Sequence, residues 1–399
     1  MADPLFIGGV LIACFVAYNI GGATTGPAFG PAIGANVLSK TAAGVLMAGA
    51  FFVGAYTLGR RVVDTLGTEL VHDPGIFTLE TSIIVLFFIG GALLIGNLSG
   101  APASTSMTAV GAIAGLGLAS GELNRVVIGE IFAWWILSPI IGFWAAVMIG
   151  RYWYTRIDRL VAVEQTEGPL LTFKWSGLLI RPALGPNTTR REVVGTAVLI
   201  GIGCLMAFSS GTSNIANAVA PLVGSGALAM EPAIYIGGAA VAVGALTIAR
   251  RTMETLGNDI TDLPLTAAIV VAVLSSVIVI LLSALGVPAS FVVIATVCII
   301  GLGWGRSTHA ITIAEAVQGE VSPKVSLDAL TEAKAPTVGE PEAVEAGGGS
   351  ATGAVDDPAA ARSDLFDPGT TVRVILMQNV VPILATVASY LTFFLLRGL

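Results

Sequence analysis

Ser104, Thr105 and Ser106 stand in a row two residues after Pro102, deep in an apolar stretch, and the run AVGAIAGLGLA follows at 109–119. That pattern predicts a helix whose first turn carries three hydroxyls beside amides that lack intrahelical partners. Such a turn suits a small oxyanion, because the helix dipole favours negative charge there. The plainer role, hydroxyls bonding their own backbone, is open to any Ser or Thr in an apolar helix. A second cluster is SNIANAVAPLVGSG at 213–226, where Asn214 and Asn217 lie three apart and share a face if that part is helical. They could bind a solute or only tie neighbouring segments together, as buried amides must do somewhere. Thr24 and Thr25 sit in the matching stretch GGATTGPAFGPAIGANVL, and Ser290 closes a second PAS at 288–290. Glu80 and Glu130 are acids within or at the ends of apolar runs, and intramembrane acids are coupling candidates by default.

Of 399 residues, 55% are hydrophobic and only 11% charged, against about 25% charged in ordinary soluble domains. Apolar runs recur at roughly the 17–25 residues that a bilayer crossing needs. The expectation is an all-α polytopic membrane protein. The isolated His72 and His309 give no metal-ligand spacing, and Cys14, Cys204 and Cys298 imply no disulfide frame. No phosphate-gripping glycine loop, paired catalytic carboxylates or nucleophile elbow is present, so the reading is not an enzyme, with no cofactor, metal or nucleic-acid partner. The first run, 5–20, lacks a basic flank and a cleavage site and reads as a span instead of a signal peptide.

Spans are expected at 5–20, 42–58, 80–98, 103–119, 126–150, 193–209, 233–249, 264–286, 288–304 and 371–396. The stretches 21–40 and 211–229 are apolar but broken by Gly and Pro, so both are expected to be re-entrant hairpins walling a polar site. The connection 151–191 carries seven Lys and Arg residues and is assigned to the cytoplasm, which puts both termini outside a plasma membrane. Residues 305–370, rich in Ala, Gly, Glu, Asp and Pro, read as a disordered acidic cytoplasmic loop.

Shifted by 190 positions, the chain overlays itself without a gap over 14–67. Cys14 meets Cys204, Gly21 meets Gly211, Pro31 meets Pro221, Arg60-Arg61 meets Arg250-Arg251, and Thr65-Leu66-Gly67 meets Thr255-Leu256-Gly257. A shift of 186 then superposes PAS at 102–104 on PAS at 288–290. Five expected spans separate equivalent points, an odd number, so the two repeats should be inverted. The organisation is therefore 1–150 as the first repeat, 151–191 as the connection, 192–304 as the second, 305–370 as the loop and 371–399 as the final helix. Inverted repeats with interrupted segments are the architecture of secondary transporters.

These residues resemble the inorganic phosphate transporter family, the Pho4 or PiT group. GTSNIANAVAPLVGSGAL is similar to its repeated G-A-N-D-V-A-N-A motif and V-G-S-G turn, and the first copy is more divergent. PASTSM at 102–107 resembles its P-V-S-T-T-H motif, WWILSPIIGF at 134–143 its S-W-I-L-S-P helix, and QNVVPILATVASYLTFF its proline-bearing last helix. The resemblance implies a carrier that moves phosphate by alternating access, coupled to Na⁺ or H⁺, with an oxyanion and the lipid bilayer as partners and a homodimer as a further expectation. The motif aspartates fall on Thr24 and Asn214, so the family's obvious cation ligands are missing. Ser104, Thr105, Ser106, Asn217, Thr25 and Ser290 are expected to bind substrate. Asn214, Thr24, Glu130 and Glu80 are the coupling candidates. Sulfate is the rival substrate, and an anion channel or a non-transporting sensor is the rival class.

Overall fold

The computed structural model describes residues 3–34, 37–98, 104–161, 171–176, 179–184, 189–259, 265–307 and 368–397. The expected acidic loop at 305–370 lies almost wholly outside these residues, as does Pro102. The described chain is nearly all helical: α1 (Pro4–Gly34), α2 (Lys40–Glu69), α3 (Leu79–Leu98), α4 (Thr105–Ser120), α5 (Arg125–Tyr152) and α6 (Tyr154–Val161), then α7 (Arg190–Gly224), α8 (Met230–Asp259), α9 (Leu265–Ala284), α10 (Phe291–Ser307) and α11 (Pro368–Arg397). Between α6 and α7 lies a two-stranded antiparallel hairpin, β1 (Leu171–Ser176) with β2 (Leu179–Leu184). Eight helices are long and apolar enough to cross a membrane, and α4 and α10 are shorter apolar helices. Every expected span coincides with a helix.

The outer surface confirms the solvent. Leu11, Phe87, Ile136, Trp144, Leu281 and Leu395 are all exposed large hydrophobics, each more than half accessible. On a water-soluble protein so many would be a liability, whereas lipid tails are their natural neighbours.

The two stretches expected as re-entrant hairpins are not hairpins. Residues 21–34 continue α1, and 211–224 continue α7. Gly and Pro read locally as breaks, but here packing overrides them. A Cβ on Gly21 would collide with the backbone oxygen of Val241, and one on Gly211 with that of Phe51. Gly54 and Gly244 likewise sit against the oxygens of Phe208 and Tyr18. These glycines exist to let helices touch backbone to backbone. Thr24 and Thr25 donate to Ile20 O and Gly21 O of their own helix at 2.7 Å, and Ser82 donates to Pro221 O at 2.8 Å, tying α3 to α7.

Hairpins do occur, one element later. The end of α4 and the start of α5 are tied to the segment before α3, through His72 N to Glu122 O (2.7 Å) and Asn124 N to Leu70 O (3.0 Å). Thus α3 and α4 leave and return to one end of the bundle. At the opposite end Thr266 of α9 donates to Asp158 at 2.6 Å, and Arg306 of α10 lies over the Tyr154 ring at 4.4 Å. So α9 and α10 form the matching hairpin.

The repeat seen in the sequence reappears as helix bounds and contacts. Under the two shifts α1, α2, α3 and α4 correspond to α7, α8, α9 and α10, while α5 and α11 are matched by their order and contacts, not by either shift. Helix α1 packs on α8 as α7 packs on α2, and α5 on α10 as α11 on α4. The four glycine contacts above are two such exchanged pairs.

Candidate functional site

The start of α4 and the segment before α10 meet against the middle of α7. Ser104 caps α4, its hydroxyl accepting from Met107 N at 3.2 Å. Ser290, its equivalent under the shift of 186, accepts from Val293 N at 3.4 Å at the start of α10. Two helix N-termini, each a region of partial positive charge with unpaired amides, therefore converge.

Thr105 donates to Asn214 Oδ1 at 2.7 Å, joining α4 to α7. The same oxygen accepts from Asn217 Nδ2 at 3.2 Å and faces the Ser106 hydroxyl at 3.4 Å. Asn214 Nδ2 donates to Ser210 Oγ at 2.9 Å. Ser106 and Ser213 both donate to Ala289 O at 2.9 Å, and Ala289 N donates back to Ser213 Oγ at 3.0 Å. These side chains are buried, apart from half-buried Thr105, and Asn217 Oδ1 has no hydrogen-bond partner.

Beside this network lies a cavity of about 290 Å³. Its walls are Ala23, Thr24, Pro27 and Ala28 of α1, Thr105 of α4, Met206, Ser210 and Asn214 of α7, and Ser290 with Phe291, Val292, Ala295, Thr296 and Ile299 of α10. None of these side chains is charged. An anion there would meet helix dipoles, amides and hydroxyls, with no fixed negative charge to repel it.

The phosphate transporter family model matches residues 20–326. The chain belongs to that family. Among relatives, the sulfate permease CysP of Bacillus subtilis is 31% identical over 329 residues, covering 80% of this chain and 84% of that protein. A candidate phosphate permease of Pyrococcus furiosus is 27% identical over 375 residues, covering 78% and 90%. A solved structure, described as the sodium-dependent phosphate transporter, superposes with a TM-score of 0.63 at 17% identity over 100% of each chain. This shared fold supports the helical polytopic architecture, and the family is one of permeases, not enzymes.

Within this phosphate transporter family member, the expected residues divide into three groups. Thr24, Thr105, Asn214 and Ser290 line the cavity. Ser104, Ser106 and Asn217 brace it from behind, and Thr25 is buried on α1 and bonded to its own helix. Glu80 and Glu130 are exposed on α3 and α5 and do not line it. Sequence reasoning passed over Ser210, Ser213 and the Ala289 backbone. The run SSGTSN at 209–214 was the available signal, since five hydroxyl or amide side chains in six apolar-flanked positions must find partners.

Proposed function

We propose that this chain is a secondary permease that moves a tetrahedral inorganic oxyanion through the cavity by alternating access between two inverted halves. The observation that carries this reading is the unequal burial of equivalent residues. Thr24 and Asn214 are equivalent under the shift of 190, Thr105 and Phe291 under that of 186, and all four line the cavity. The other ten wall residues have buried counterparts, seven of them as follows. Val16 answers to Met206, Ile20 to Ser210, Asn217 to Pro27, Ser106 to Val292, Ala109 to Ala295, Val110 to Thr296 and Ile113 to Ile299. Each of these seven counterparts is at most 1% accessible. That difference in packing supports a reading in which the cavity belongs to one of two conformations. Exchange of the two packings between halves would give the other.

In this reading the hairpins enter the bilayer from opposite faces, the 151–191 connection is cytoplasmic and both termini lie outside a plasma membrane. Coupling to Na⁺ or H⁺ is weakened, because Thr24 and Asn214 bring no carboxylate to the cavity. Two substrates stand behind the word oxyanion. Phosphate follows from the family description, and sulfate is favoured by the 31% identical relative, itself a sulfate permease.

Uptake of labelled phosphate and sulfate into proteoliposomes tests the proposal. Saturable uptake with counterflow is expected, changing less than about threefold when a Na⁺ gradient is imposed. Non-saturating flux would indicate a channel, and binding without flux a sensor.

A further inference from the structure

Every wall residue of the cavity is neutral, and the way its hydroxyls and amides are already committed decides what kind of oxyanion fits. Phosphate and arsenate carry at least one O–H near neutral pH, whereas sulfate and selenate carry none. A bound O–H needs an acceptor, and burying it without one is costly. The strongest neutral acceptor in the wall is Asn214 Oδ1. It is already occupied by Thr105 at 2.7 Å and Asn217 at 3.2 Å, which fill its two lone pairs. Ser210 and Ser290 accept from Asn214 Nδ2 and Val293 N, so their own protons are free to donate. What remains to receive a ligand proton is hydroxyl lone pairs, on Thr24, Thr105 and Thr296 and the second ones of Ser210 and Ser290, which hold an O–H about half as strongly as a carboxylate does. Among the described residues no carboxylate lines the cavity.

We propose that Asn214 and Thr24, the pair related by the repeat at the cavity wall, are specificity-determining residues that select an oxyanion bearing no proton, sulfate or selenate over phosphate or arsenate. The proposal rests on the cavity being the transported anion's site. A site without a charged acceptor holds a protonated analogue less well, because the ligand's O–H is left with weaker partners. Restoring one carboxylate at either position reverses the preference. It supplies the missing acceptor and repels an anion that has no proton to share.

Arsenate and selenate are close in size and shape and differ in the proton, so together they separate protonation from fit. The experiment is competition of unlabelled sulfate, selenate, phosphate and arsenate against labelled sulfate uptake in proteoliposomes. It is run on the wild type, Asn214→Asp and Thr24→Asp, each shown to be monodisperse. In the wild type, selenate is expected to compete at least about tenfold better than arsenate. Either aspartate variant should shrink that ratio at least about fivefold, with phosphate gaining as arsenate does. Thr24→Asp covers the case in which Asn214→Asp disrupts the α4–α7 contact. Equal competition by the two pairs in the wild type, or arsenate and phosphate winning, overturns the selectivity while leaving the permease reading intact. Folded wild-type protein that takes up none of the four anions overturns both.

Discussion

Ser210 shows how a single hydroxyl is set to work. Its oxygen accepts from Asn214 at 2.9 Å, so its proton is free for a ligand while Asn214 is held in place. Ser210→Ala removes the donor and orphans the Asn214 amide. Hydrogen bonds to charged groups contribute about 1.5–3 kcal/mol, so anion affinity is expected to fall by about ten- to a hundredfold in a direct binding assay. The mutant's unfolding midpoint should drop as well. Thr105→Val, which strips one donor from Asn214 Oδ1, should weaken binding by a smaller factor, because its hydroxyl proton already points away from the ligand. A Ser210→Ala protein with unchanged affinity would remove this hydroxyl from the site. Much of this chemistry was legible in the sequence. The hydroxyl triplet, the Asn pair and the two threonines were marked by residue type and by their place in the family's motifs. Ser210 and Ser213 were not, because their role comes from which hairpin tip they meet.

Among the elements, the lesson lies in the glycines. Eight span-length helices and the shorter α4 and α10 could be read from apolar runs, yet 21–34 and 211–224 looked like breaks and are helical. Local propensity penalises Gly and Pro by about 1 and 3 kcal/mol in a helix. The sequence window cannot register that Gly21 and Gly211 allow α1 and α7 to touch α8 and α2 across the halves. Overpacking there costs typically 1–3 kcal/mol. Gly21→Ala and Gly211→Ala should therefore each lower the thermal midpoint of the detergent-solubilised protein by several degrees. Gly49→Ala, with nothing within 4 Å of the added methyl, should be neutral or slightly stabilising. If Gly49→Ala proved as damaging as Gly211→Ala, close backbone approach would not be the reason for these glycines. The true hairpin tips follow the PAS copies, whose second member is visible as Val287, Pro288, Ala289 and Ser290 leading into α10. There a proline near a helix start did mark a real interruption.

For the molecule as a whole, the repeat was visible as two shifts of the sequence, and the helix bounds and exchanged contacts follow it. The unequal burial of equivalent residues was not visible, because it depends on how each is packed and not on its place in the repeat. Val110 and Thr296 make the contrast in a single pair, one at 1% accessibility and the other in the cavity wall. The decisive measurement is labelling of Val110→Cys and Thr296→Cys by a membrane-impermeant thiol reagent, applied from each side of vesicles, after Cys14, Cys204 and Cys298 have been replaced. The two positions are predicted to react from opposite sides, with Val110→Cys reacting more during anion turnover. Reaction of both from the same side, or no reaction of Val110→Cys in protein that still transports, would contradict the exchange of halves.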